Sequence, residues 1–86
     1  MKFRKKPVVI DALRWPGSLD DGGRFAIWAQ ETGLYKVAHR QDGANLVIET
    51  LNGEVVAQPG DWVVRGVQGD FYPCKHETFM ATYEPA

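Results

Sequence analysis

The chain has 86 residues, enough for one domain spanning 1–86 and too few for two. Ten Lys and Arg nearly cancel eleven Asp and Glu, so the formal net charge is −1, which argues against a general nucleic-acid binder. A single cysteine, Cys74, excludes an intramolecular disulfide, and no apolar run approaches the roughly 20 residues of a membrane-spanning helix. The basic start, Lys2 to Lys6, is followed by no apolar h-region, so it does not read as a signal peptide and a reducing cytoplasm is the expected location. Three Trp, four Phe and three Tyr supply one compact core. At this size only roughly 60–65% of the unfolded surface is buried, which favours support from self-association.

Residues 6–15, KPVVIDALRW, alternate β-branched and other side chains with period two and predict a strand that Pro16-Gly17 ends. Residues 21–32 predict the main helix. Ser18, Asp20 and Asp21 offer cap oxygens and negative charge at its start, Phe25, Trp28, Ala29 and Thr32 form one stripe, and Gly33 suits a left-handed end. A short strand is expected over Leu34–Arg40, then a turn at Gln41-Asp42-Gly43. Leu46–Leu51 and Glu54–Gln58 read as two strands joined by Asn52-Gly53, the favoured pair of a two-residue type I′ hairpin. Pro59-Gly60 marks another turn and Asp61–Arg65 a further strand. Gly66 and Gly69 bracket a tight connection into Phe71-Tyr72, whose glycines are expected at positive φ. Lys75–Met80 predicts one helical turn, and Ala81–Glu84 a last strand before Pro85. The expected class is α+β: a small antiparallel, strongly curved sheet or open barrel of about five to six strands, with one main helix at about 21–32.

Three stretches of the chain resemble one recurring sequence pattern. They are residues 2–12 (KFRKKPVVIDA), residues 51–54 (LNGE) leading into 59–67 (PGDWVVRGV), and residues 69–75 (GDFYPCK) closing with Thr82-Tyr83-Glu84. Together they are similar to a family of small phage and prophage proteins with an RKKPV strand at the start and a PGDW(V/I)xxGxxG(E/D)FYPCK motif towards the end. The match covers both ends of the chain; residues 16–45 carry nothing over. His76-Glu77-Thr78 departs from the Pro-Asp-Ile usual after the Cys-Lys pair. The resemblance implies a phage or prophage origin, an accessory role and the host bacterial cytoplasm. It implies no catalytic residue.

Cys74 and His76 are the pair to weigh for nucleophilic catalysis, which needs the imidazole within hydrogen-bond reach of the sulfur. No third group is fixed by the sequence, and a lone Cys is more often a small buried hydrophobe, so no catalytic residue is assigned and a non-enzyme is expected. His39, His76 and Cys74 lack metal-ligand spacing, and no metal or cofactor is expected. Gly66-Val67-Gln68-Gly69 lacks the GxxxxGK[ST] of a phosphate loop and reads as a turn. Arg4 and Lys6 in the basic start are candidates for anion contact; protection of a strand edge explains the same residues.

The remaining constellation is Trp62, Arg65, Phe71, Tyr72, Lys75 and Tyr83. Aromatic platforms with Arg and Lys can hold a base by stacking and a phosphate by charge. The competing reading makes Trp62, Phe71 and Tyr83 core, which Arg65 and Lys75 cannot be in the same sense. The ligand-site candidates are therefore Arg65, Lys75, Trp62, Tyr72, Arg4 and Lys6. They lead to an expected function: a non-enzymatic, homo-oligomeric small-ligand-binding protein that sequesters a host immune signalling nucleotide in an anti-defence role. The alternative is a protein-interaction module that inhibits or modulates a host or phage protein. A cleft lined by Arg65, Lys75 and an aromatic favours the first; an apolar patch without convergent basic residues favours the second.

Overall fold

The computed structural model of the protein describes residues 9–19 and 23–84. Arg4 and Lys6 lie outside these, as do Asp20, Asp21 and the first three residues of the predicted strand 6–15. Within them the fold is α+β, with six strands and two helices. Strand β1 (Asp11–Arg14) keeps the inner half of the predicted strand. Helix α1 (Arg24–Thr32) starts after Gly23, whose extended backbone occupies the cap position without a side-chain bond, so Ser18 is not its cap. Its buried face is Phe25, Ala26, Trp28 and Ala29, and Gly33 ends it at φ +85°, a conformation that costs glycine no Cβ clash.

After Gly33 the structure departs from the predicted strand. Leu34–Lys36 form one 3-10 turn, with Lys36 N–H donating to the Gly33 carbonyl at 3.0 Å and Val37 N–H to that of Leu34 at 3.0 Å. Leu34 is fully buried under α1 and Val37 packs beside the core. Leu34 and Val37 are three apart, so a helical turn brings both to the core, whereas a strand would point them to opposite faces. Strand β2 (His39–Asp42) therefore begins later and absorbs Gln41 and Asp42, and the turn moves to Gly43-Ala44, with Gly43 at φ +60°.

Strands β3 (Asn45–Thr50) and β4 (Gly53–Ala57) form the expected hairpin with a different turn. Thr50 pairs with Gly53, so the two residues between the strands are Leu51-Asn52. Asn52 has no positive φ and Gly53 stands at +109°, which excludes type I′ and fits a type I turn followed by a left-handed glycine. Thr50 Oγ1 holds both sides of it, accepting from Asn52 N–H and donating to the Gly53 carbonyl.

Strands β5 (Trp62–Arg65) and β6 (Phe71–Cys74) follow, joined through Gly66–Asp70. Of the two bracketing glycines only Gly69 takes a positive φ, +84°. Gly66 instead lets two side chains come close: a Cβ there would stand 2.5 Å from Asp70 Oδ1 and 3.3 Å from Tyr72 Cε1. Helix α2 (His76–Thr82) takes the place of both the single helical turn and the last strand. Ala81 and Thr82 are helical, and Tyr83 is extended without a strand partner. Phe79 and Tyr83, four residues apart, share one face, which settles the segment as helix.

The six strands divide into two antiparallel three-stranded sheets, ordered β1-β5-β6 and β2-β3-β4, which meet where β4 lies beside β6. The core joins both sheets to α1: Trp15, Phe25, Trp28, Leu34, Leu46, Ile48, Val63 and Phe71 are among its members. Trp15, Phe25, Trp28 and Phe71 form a chain of edge-on and tilted rings with centroids 5.0, 5.5 and 6.3 Å apart. Each buried indole donates its N–H, Trp15 to the Ala44 carbonyl at 2.7 Å and Trp28 to Asp11 Oδ1 at 2.9 Å.

Candidate functional site

Alternation along the β1-β5-β6 sheet separates the predicted site residues. Leu13, Val63 and Phe71 face the core, and Arg65 shares that face at its end, opposite Asp11 and Phe71 in register. Trp62, Val64, Tyr72 and Cys74 point to the other face, where α2 lies. Lys75 follows β6 at the far end of the hairpin, about 13 Å along the strand from the level of Arg65. Arg65 is exposed and, among the described residues, makes no side-chain hydrogen bond or ion pair. The two cations therefore do not converge.

Lys75 has a structural partner. Its ammonium donates to Asp61 Oδ2 at 3.1 Å and to Gln58 Oε1 at 3.0 Å. Asp61 is 6% exposed, and the same Oδ2 accepts Gln58 N–H at 2.9 Å. The carboxylate thus closes the Pro59-Gly60 turn between β4 and β5, and Lys75 neutralises it from the solvent side. The turn is tied to the core by two further bonds, Trp15 N–H to the Asp61 carbonyl at 2.8 Å and Gly60 N–H to that of Trp15 at 2.9 Å.

The aromatics divide between the two readings weighed for them. Phe71 is core. Trp62, Tyr72 and Tyr83 build a second, outer cluster with α2. Phe79 lies flat on Trp62 with centroids 4.2 Å apart, Tyr83 leans on Phe79 at 5.0 Å, and the hydroxyls of Tyr72 and Tyr83 meet at 3.3 Å. That hydroxyl contact, with part burial second, pushes the Tyr72 phenol up to about 12.

The pairing needed to activate Cys74 is not made. Nδ1 of His76 accepts the Trp62 indole N–H at 3.1 Å, and Cys74 Sγ approaches the Lys75 carbonyl at 3.7 Å. Among the described residues no group of three or more His, Cys, Asp or Glu is placed to hold a metal ion.

A different site, absent from the sequence reading, opens between the two hairpins. A groove of about 700 Å3 runs from the tip of β3-β4 to the β5-β6 loop. Its apolar lining is Val37, Ile48, Leu51 and Phe71; Ile48 and Phe71 are buried core residues, so the groove backs onto the core and its open apolar surface comes from Val37 and Leu51. Its charged lining residues, Glu49, Glu54 and Asp70, are all acidic, and Arg40 Nη1 bonds Glu54 at 3.1 Å. Leu51 is fully exposed on one lip, and Val67, 71% exposed, stands in the loop that forms the other. Hollows of about 570 and 320 Å3 flank α1; like the groove, neither is lined by Arg65, Lys75, Trp62 or Tyr72. The sequence does carry a signal for the groove. Leu51 and Val67 occupy hairpin connections where Gly, Asn, Asp, Pro or Ser normally stands.

Comparison with protein-family models, with curated proteins and with solved structures gives no match.

Proposed function

We propose that the protein is a non-enzymatic interaction module of phage or prophage origin, and that the groove between its hairpins docks a segment of another protein. The observation that carries this reading is a groove that backs onto the core between two exposed apolar residues, Leu51 and Val67, on separate hairpin tips. Exposed apolar side chains that cluster around a concavity mark interaction sites more than singly scattered ones do. The partner segment presents a large apolar side chain with a lysine or arginine beside it, because the charged residues of the lining are Glu49, Glu54 and Asp70. A phosphate-bearing ligand meets the opposite field there. The phage setting rests on the resemblance of both chain ends to small phage proteins.

Photo-crosslinking tests the assignment. A benzophenone amino acid at position 51 of the full chain, expressed in a phage-bearing host, is expected to give one discrete protein adduct whose crosslinked peptide contains an apolar residue next to Lys or Arg. The same probe at Met80, exposed on α2 away from the groove, gives none. Equal adducts from both positions, or no protein adduct from position 51, overturn the reading.

A further inference from the structure

Helix α2 is held by an aromatic face rather than by the core, for none of its residues is fully buried. Besides the Phe79 stack and the Tyr72–Tyr83 contact, its first turn is fixed by the Trp62 indole N–H donating to Nδ1 of His76 at 3.1 Å. An imidazole nitrogen accepts a hydrogen bond only while it carries no proton. We propose that His76 is a proton-sensitive latch on α2. Neutral, it accepts from Trp62 and seats the helix on the outer face of the β1-β5-β6 sheet. Protonated, it loses the acceptor and turns an N–H towards the indole N–H, and the helix opens more often, uncovering Trp62 and Tyr72.

The charged groups nearest the contact are engaged elsewhere. Lys75 precedes His76 in the chain, but its ammonium is bonded to Asp61 and Gln58, and Arg14 of β1, the register partner of Trp62, donates from Nε to the Gly60 carbonyl. Cys74 is the other register partner of Trp62. The Asp61 carboxylate at the start of β5 is already bonded to Lys75 and to Gln58 N–H. Glu77 follows on α2 itself, and among the described residues no carboxylate lies within ion-pair distance of the His76 ring. Because only the unprotonated ring accepts the indole N–H, opening is coupled to proton uptake and the helix seats more firmly at higher pH.

The three indoles provide an internal control, because each donates to a different acceptor: Trp15 to a carbonyl, Trp28 to Asp11 and Trp62 to His76. In 1H–15N spectra of the full chain taken from roughly pH 8 to roughly pH 5, the Trp62 indole resonance is expected to move while that of Trp15 stays. Amide exchange over residues 76–82, corrected for its intrinsic pH dependence, rises about tenfold, the equivalent of one hydrogen bond. His76→Gln, whose side-chain carbonyl accepts at every pH, keeps the helix seated and removes the pH step. Trp62→Phe keeps a ring for Phe79 to stack on, lacks the donor and also removes the step. A Trp62 indole that does not respond, or a pH step that persists in either variant, overturns the latch.

Discussion

Asp61 shows how a single side chain is made indispensable by position. It is the one buried charged residue among those described, and its Oδ2 serves the Gln58 amide and the Lys75 ammonium together. Asp61→Ala orphans the Gln58 N–H beside the core and is expected to cost about 2 kcal/mol of stability, read from urea unfolding. Lys75→Ala removes only the exposed partner and costs well under half of that, as exposed ion pairs do. Equal losses would assign the turn to the ion pair instead of the amide. Tyr72 is the second such residue. Its phenol, raised to about 12 by Tyr83, favours the neutral form in the folded protein, so its contribution is complete below about pH 10 and is lost as pH rises through about 12. Ultraviolet titration should show one late-ionising tyrosine, and Tyr83→Phe should bring it down towards the ordinary range.

At the scale of elements, what the sequence made legible tracks how local the cause is. Helix α1 was readable because its apolar stripe and Gly33 act within a few residues. The β3-β4 hairpin was readable for the same reason, but its turn type was not. Asn52-Gly53 matches type I′ as a dipeptide, and strand register places Gly53 one position later, in the ladder. Gly53→Ala tests that geometry: with φ at +109° and open space around the site, the loss is backbone strain alone, about 1–2 kcal/mol in unfolding measurements. A negligible loss would mean the turn relaxes to another type. The segment after Gly33 departs from the expected strand because Leu34 and Val37, three apart, both reach the core only from a helical turn, and that demand comes from α1 and the sheet, not from the local alternation. The end of the chain was misread because the face Phe79 and Tyr83 share is fixed by Trp62, seventeen and twenty-one residues earlier, which no local window contains.

For the whole molecule, the candidate site was legible only in its parts. Arg65, Lys75, Trp62 and Tyr72 are close in sequence, and strand alternation over Asp61–Arg65 puts Arg65 on the opposite face from Trp62. Their separation into an exposed cation, a turn clamp and a seat for α2 came from the pairing of β5 with β6 and from a helix in place of the expected strand. The groove needed the two sheets to be brought together, since its lining combines residues within 48–54 of one hairpin with residues 68–71 of the other. The β2 edge, with exposed Arg40, Gln41 and Asp42, is guarded by charge against casual sheet extension.

The most direct measurement is native mass spectrometry of the full chain purified from a phage-bearing host, beside Leu51→Asp and Arg65→Ala. A docking role predicts an added mass of protein size that Leu51→Asp abolishes and Arg65→Ala leaves in place. An added mass of nucleotide size that Arg65→Ala abolishes and Leu51→Asp leaves would contradict it and return the function to ligand sequestration.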